Sequence, residues 1–120
     1  NNDNIHVQGE YINQETVLKD FPNIVTSMKF QEFNTVDPEG SEYATNTLFL
    51  LLLDLPIHDF VMITRSQETF LLIKLSNDKL LVIDSHKSGH GTVNLENAIK
   101  YITRDKIYKG LIQIGYLSGE

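Results

Sequence analysis

The densest apolar run of the chain, LFLLLLDL at residues 48–55, continues a stretch in which Ala44, Leu48, Leu51, Leu52 and Leu55 recur at helical spacing. Leu50 and Leu53 fill the other sides, so residues 43–55 predict a helix that is apolar almost all round. Such a helix belongs in the middle of a domain. Pro56 stops it, and beyond the proline the period changes. Residues 59–64, 69–75 and 79–84 are short runs rich in β-branched and apolar residues, joined through 65–68 and 76–78. Connections this short predict hairpins and an antiparallel meander. Asn94 then precedes Leu95, Ala98, Ile99 and Ile102, which share one helical face, so a capped helix is expected over 94–102. Residues 110–117 read as a last strand.

Upstream the pattern is weaker. Residues 13–21 read as a short helix, with Asn13 as N-cap, Glu15 near the positive end and Pro22 just past the stop. Residues 24–34 mix β-branched, aromatic and polar positions and predict an edge strand or an extended segment. Asp37-Pro38-Glu39-Gly40 reads as a turn. Residues 1–12 read as a flexible N-terminal extension. The fold expectation is therefore one α+β domain. Its central buried helix packs on an antiparallel sheet made from three consecutive strands, and helices at 13–21 and 94–102 flank it.

Composition narrows the function classes. With 120 residues the chain is long enough for one hydrophobic core without staples, and 41% hydrophobic with 22% charged residues is ordinary for a packed domain. Ten Lys plus Arg against sixteen Asp plus Glu give a net charge of −6, which opposes phosphate backbones and anionic membrane surfaces. Nucleic acid is thus not an expected partner, and the apolar run at 48–55 is too short and too interrupted by Asp54 for membrane insertion. The chain has no cysteine, which removes disulfide, zinc-thiolate and thiol-catalysis readings of these residues. No signal-peptide pattern opens it, and an intracellular location, cytoplasmic or nuclear, is the expectation.

Candidate chemistry concentrates in LLVIDSHKSGHG at residues 80–91, where a strand ends in Asp84-Ser85-His86 and enters a glycine-bracketed loop. Side chains at i and i+2 of a strand share a face, so Asp84 and His86 can point together at a site above the sheet. That pair suits a general base held in one tautomer by a carboxylate. Asp84, His86 and His90 also offer a carboxylate and two imidazoles to a divalent metal, although Ser88, Gly89 and Gly91 mark a loop rather than a helix. Ser41, Ser85 and Ser88 lack a nucleophile-elbow context and read as loop hydrogen-bonders. His6 and His58 are explained by surface positions. Tyr101, Tyr108 and Tyr116 read as core or rim aromatics.

An apolar strand, D-S-H, a glycine loop and the capped helix NLENAIKYI together resemble the Asp-His segment of the herpesvirus tegument deubiquitinases. The same D-x-H arrangement occurs in proteases of other ubiquitin-like modifiers, all of them papain-like peptidases. Around their cysteine the tegument-type pattern is glycine, any residue, Gln, Cys, two residues, Asn, one residue, Leu. Here Gly40, Asn46 and Leu48 match; Glu42 stands in the place of the Gln and Tyr43 in the place of the cysteine. The resemblance spans residues 38–117.

It implies a papain-like fold and a vestigial site, with Asp84 and His86 as remnants of the base pair, Tyr43 at the nucleophile position and Glu42 at the oxyanion position. A cleft would be bounded by Gly40, Ser41, Glu42 and Tyr43 on one side and by Ser85, Gly89 and His90 on the other. A phenol is a poor replacement for a thiolate, and Tyr43 is bulky for a narrow catalytic cleft. The expected function is a catalytically inactive domain that binds another protein, with ubiquitin or a ubiquitin-like modifier as the candidate partner. No cofactor or metal is expected. The rival expectation is an active cysteine-type hydrolase of ubiquitin-like conjugates whose nucleophile is mutated or lies outside this segment, with His86 as base and Asp84 as its orienter. A further alternative is metal binding by Asp84, His86 and His90.

Overall fold

A computed structural model of the chain describes residues 28–84 and 91–117. The expected helix at 13–21, the extension at 1–12 and the loop residues Ser85, His86, Ser88, Gly89 and His90 lie outside the described residues. The elements in chain order are β1 (Met28–Asn34), α1 (Pro38–Leu53), β2 (Phe60–Arg65), β3 (Glu68–Ser76), β4 (Lys79–Asp84), β5 (Gly91–Val93), α2 (Leu95–Thr103) and β6 (Leu111–Leu117).

The strands form one open antiparallel sheet in the order β1-β6-β2-β3-β4-β5. The expected meander is its β2-β3-β4 portion. The expectation of a sheet made from three consecutive strands is corrected: six strands take part, because β1 and β6 pair with each other, β6 also pairs with β2, and β5 pairs with β4. Arg65 pairs with Glu68 across the first hairpin, and its two loop residues, Ser66 and Gln67, both have positive φ (51° and 66°). Such backbone matches the twist of a two-residue hairpin without the usual Asn-Gly signal.

Alternation along the strands sends Phe33, Val61, Ile63, Phe70, Leu72, Leu80, Val82, Ile112 and Ile114 to one face. There they form a single buried cluster with Ala44, Leu48 and Leu52 of α1 and Leu95, Ala98, Ile99 and Ile102 of α2. The two helices therefore cover one side of the sheet. On the other side Met28 and Met62 are buried with Phe60, Leu71 and Leu117 packed against them.

Two expectations about α1 are corrected. The segment 37–40 is not a turn, because Asp37 is the N-cap and its carboxylate accepts from the Gly40 N–H at 2.7 Å, with Pro38 opening the first turn. Asp and Pro favour turns and helix starts for the same reasons, a local acceptor and a preset φ, so the two readings compete until the following residues decide. Nor is the helix buried all round. It buries Ser41, Ala44, Leu48 and Leu52, whereas Tyr43, Phe49, Leu50 and Leu53 face outward. α2 conforms to expectation, capped by the Asn94 side chain, which accepts from the Asn97 N–H at 2.7 Å.

The C-terminal end of α1 is fastened to the sheet by Lys74, which follows Phe70 and Leu72 on the helix-facing side of β3 and is 1% exposed. Its ammonium donates to the carbonyls of Leu52, Leu53 and Leu55 at 2.6, 3.1 and 3.0 Å. These carbonyls lie at or just past the helix end, where the Leu52 oxygen otherwise accepts from the Leu55 N–H at 3.4 Å, and a cation there also meets the negative end of the helix dipole.

Candidate functional site

The expected cleft has two halves, and the fold sets each by local packing. At the first, the opening turn of α1 presses against the end of β1. A Cβ on Gly40 would sit 2.1 Å from the Asn34 carbonyl oxygen, so the glycine that matches the cysteine-helix pattern is required here by close backbone approach. Ser41 is buried beneath the helix, and its carbonyl accepts from the Thr45 hydroxyl at 3.0 Å. Glu42 is exposed. Tyr43 is 60% exposed, with its ring tilted against Phe33 of β1 at a centroid distance of 6.0 Å. A cavity of about 400 Å3 lies beside this turn, between Ser41, Glu42 and Thr45 and the cations Lys106 and Lys109.

The second half is centred on Asp84, the last residue of β4, which is 1% exposed. Its carboxylate accepts the hydroxyl of Tyr101 from α2. Burial, the hydrogen bond to Asp84 and the charge of that carboxylate together hold the Tyr101 phenol well above its ordinary pKa. The Tyr101 ring meets Phe70 edge-on at 4.9 Å, and the Arg65 guanidinium carbon lies 4.9 Å from the Phe70 centroid and 5.6 Å from that of Tyr101. Arg65 is 4% exposed, and its Nη1 has no hydrogen-bond partner among the described residues. Burial lowers the Arg65 pKa from its ordinary value, with the nearby Glu68 pulling the other way.

The described residues keep these halves apart. Tyr43 rests on β1, Asp84 ends β4, and β6, β2 and β3 lie between. At about 4.8 Å per strand this is a lateral separation of roughly 15–20 Å, far beyond hydrogen-bond reach. His86, His90, Ser85 and Gly89 lie outside the described residues, and Asp84 is the one member of the D-S-H motif with a described position.

Three residues to which the sequence assigned no role at the site shape this side of the sheet: Arg65, Lys74 and Tyr101. A signal for the first two existed. Each extends an apolar alternation, Val61-Ile63-Arg65 and Phe70-Leu72-Lys74, so a charge falls on a core-facing position and requires a partner. Tyr101, expected in core or rim, joins the core cluster with Tyr108 and Tyr116 but adds a hydrogen bond to a buried carboxylate.

Compared with protein-family models and with curated proteins, the chain finds no match. The functional reading therefore rests on the chemistry of its residues.

Proposed function

We propose that this domain is a catalytically silent, deubiquitinase-like protein-interaction module whose partner is ubiquitin or a related modifier. The observation that carries the reading is the outward face of α1. Leu50 lies seven residues beyond Tyr43 and Leu53 three beyond Leu50, and the three are 60%, 62% and 50% exposed, with Phe49 beside them. Large apolar side chains left exposed together on one helix are an ordinary mark of a protein contact. In this reading the residue in the nucleophile's place has become part of a contact surface. The chain supplies no thiol, and the wide spacing of Tyr43 and Asp84 supports binding without covalent chemistry.

Titration of 15N-labelled protein with ubiquitin tests it. Shifts confined to α1 around Tyr43, Leu50 and Leu53, abolished by Leu50→Asp, are expected. A folded protein with no shift at saturating ubiquitin removes the modifier as partner. Tyr43→Cys treated with a ubiquitin-based electrophilic probe asks the complementary question. A labelled adduct would overturn the view that this position has left catalysis.

A further inference from the structure

On the helix-bearing side of the sheet, a shallow cavity of about 410 Å3 opens between α2 and the end of β2. Arg65, Lys100 and Arg104 line it with Asn97, against a single carboxylate, Asp105. On a chain of net charge −6 this is a local reversal of sign. Lys100 is paired with Glu96 at 3.8 Å, but both side chains are well exposed, so the pair is weak and leaves the ammonium available.

Arg65 makes the cavity more than a surface cluster. Its guanidinium is held against the rings of Phe70 and Tyr101, it is almost wholly buried, and Nη1 lacks an acceptor among the described residues. A buried donor left without an acceptor calls for a specific explanation, and a ligand that accepts is one. The nearby Asp84 carboxylate accepts the Tyr101 hydroxyl. The other rim of the cavity is also unusual. Arg104, Asp105 and Lys106 have φ of 52°, 59° and 68°, a run of three left-handed residues without a glycine, which fixes Arg104 at the cavity in place of letting α2 continue. Strained backbone of this kind collects at ligand sites.

We propose that this cavity binds an oxyanion, a phosphoryl or carboxylate group presented by a ligand, with the ring-held Arg65 guanidinium at its wall and Lys100, Arg104 and the Asn97 amide completing the cradle. The planar guanidinium suits either group, since both offer paired oxygens to its fork. Burial that lowers the Arg65 pKa also favours an added anion, which acts in the opposite direction. The site is separate from the outward face of α1, so the two readings stand or fall independently.

The test is a 1H–15N titration of the intact chain with inorganic phosphate and, separately, with acetate, each against sodium chloride at equal ionic strength. Saturable shifts at Val93, Asn97, Arg104 and the Arg65 side chain are expected, with a dissociation constant of about 1–10 mM for the bare anion. Lys100→Gln with Arg104→Gln, exposed positions whose replacement leaves the core intact, is expected to weaken binding at least about tenfold. Phosphate shifts without acetate shifts assign the phosphoryl source, the reverse assigns a carboxylate, and either supports the site. Absence of saturable shifts from both, shifts that sodium chloride reproduces, or binding unchanged in the double variant would overturn it.

Discussion

Replacing Lys74 with Met removes an ammonium while keeping an unbranched side chain of similar length, so the change isolates the hydrogen bonds from the packing. The bond to the Leu52 carbonyl is fully buried, whereas those to Leu53 and Leu55 are partly accessible. Water can replace the latter two at a cost of about 0.5–1 kcal/mol each, but the buried Leu52 carbonyl loses its close donor and keeps the long bond from the Leu55 N–H at 3.4 Å, at a cost of about 1–3 kcal/mol. Loss of a cation at the helix C-terminus adds about 0.3–1 kcal/mol. Relief of the ammonium's own desolvation works in the opposite direction. A net destabilisation of about 2–3 kcal/mol is expected, a large part of the ~5–15 kcal/mol that holds a domain together. In urea, with a slope of about 1.5 kcal/mol per M, the midpoint falls by roughly 1.3–2 M without a change of slope. Circular dichroism of wild type and Lys74→Met measures it. A variant as stable as wild type, or more stable, would show that desolvation outweighs the bonds and would refute the view of Lys74 as the fastener of α1.

Gly40→Ala places a methyl group against the Asn34 carbonyl, and α1 must lift off β1 to admit it; a loss of about 2–3 kcal/mol in urea denaturation is expected. Tyr101→Phe removes the hydroxyl that serves buried Asp84, at about 1–3 kcal/mol at neutral pH. Because the folded state holds the Tyr101 proton above its ordinary pKa of 10.0, stability that is complete below that pH declines as pH rises past it. Denaturation midpoints of Tyr101→Phe therefore fall less steeply above pH 10 than those of wild type, and parallel curves would contradict the coupling. Asp37→Ala and Asn94→Ala each remove an N-cap, and each lowers stability by about 1 kcal/mol, measurable as a shift in thermal midpoint.

Much of the fold was legible because its signals are local. The apolar alternation of β2, β3 and β4 and the cap-plus-face pattern of α2 depend only on neighbouring residues, and the structure places these elements within a residue or two of expectation. What escaped was non-local. No feature of residues 28–34 announces that they pair with 111–117, because strand order is decided by which strand completes the other's hydrogen bonds. The outward leucines of α1 looked buried for a related reason, since composition records how apolar a helix is but not how many of its sides the rest of the chain covers. At the site, Asp84 was found by its motif. Its partner Tyr101 lies 17 residues away on another element, beyond the reach of any spacing rule.

The place of β6 bears on how the molecule can be made. The last described strand lies between the first and the second, so every earlier pairing of β1 must wait for it. During synthesis the β2–β4 hairpins and α2 can form as they emerge, but β1 has no described neighbour in the sheet until residues 111–117 leave the ribosome. Until then the apolar face of β1 remains available to wrong partners. A chain stopped just before Leu111 would be left with a broken sheet, its first strand tied to the others through α1 alone.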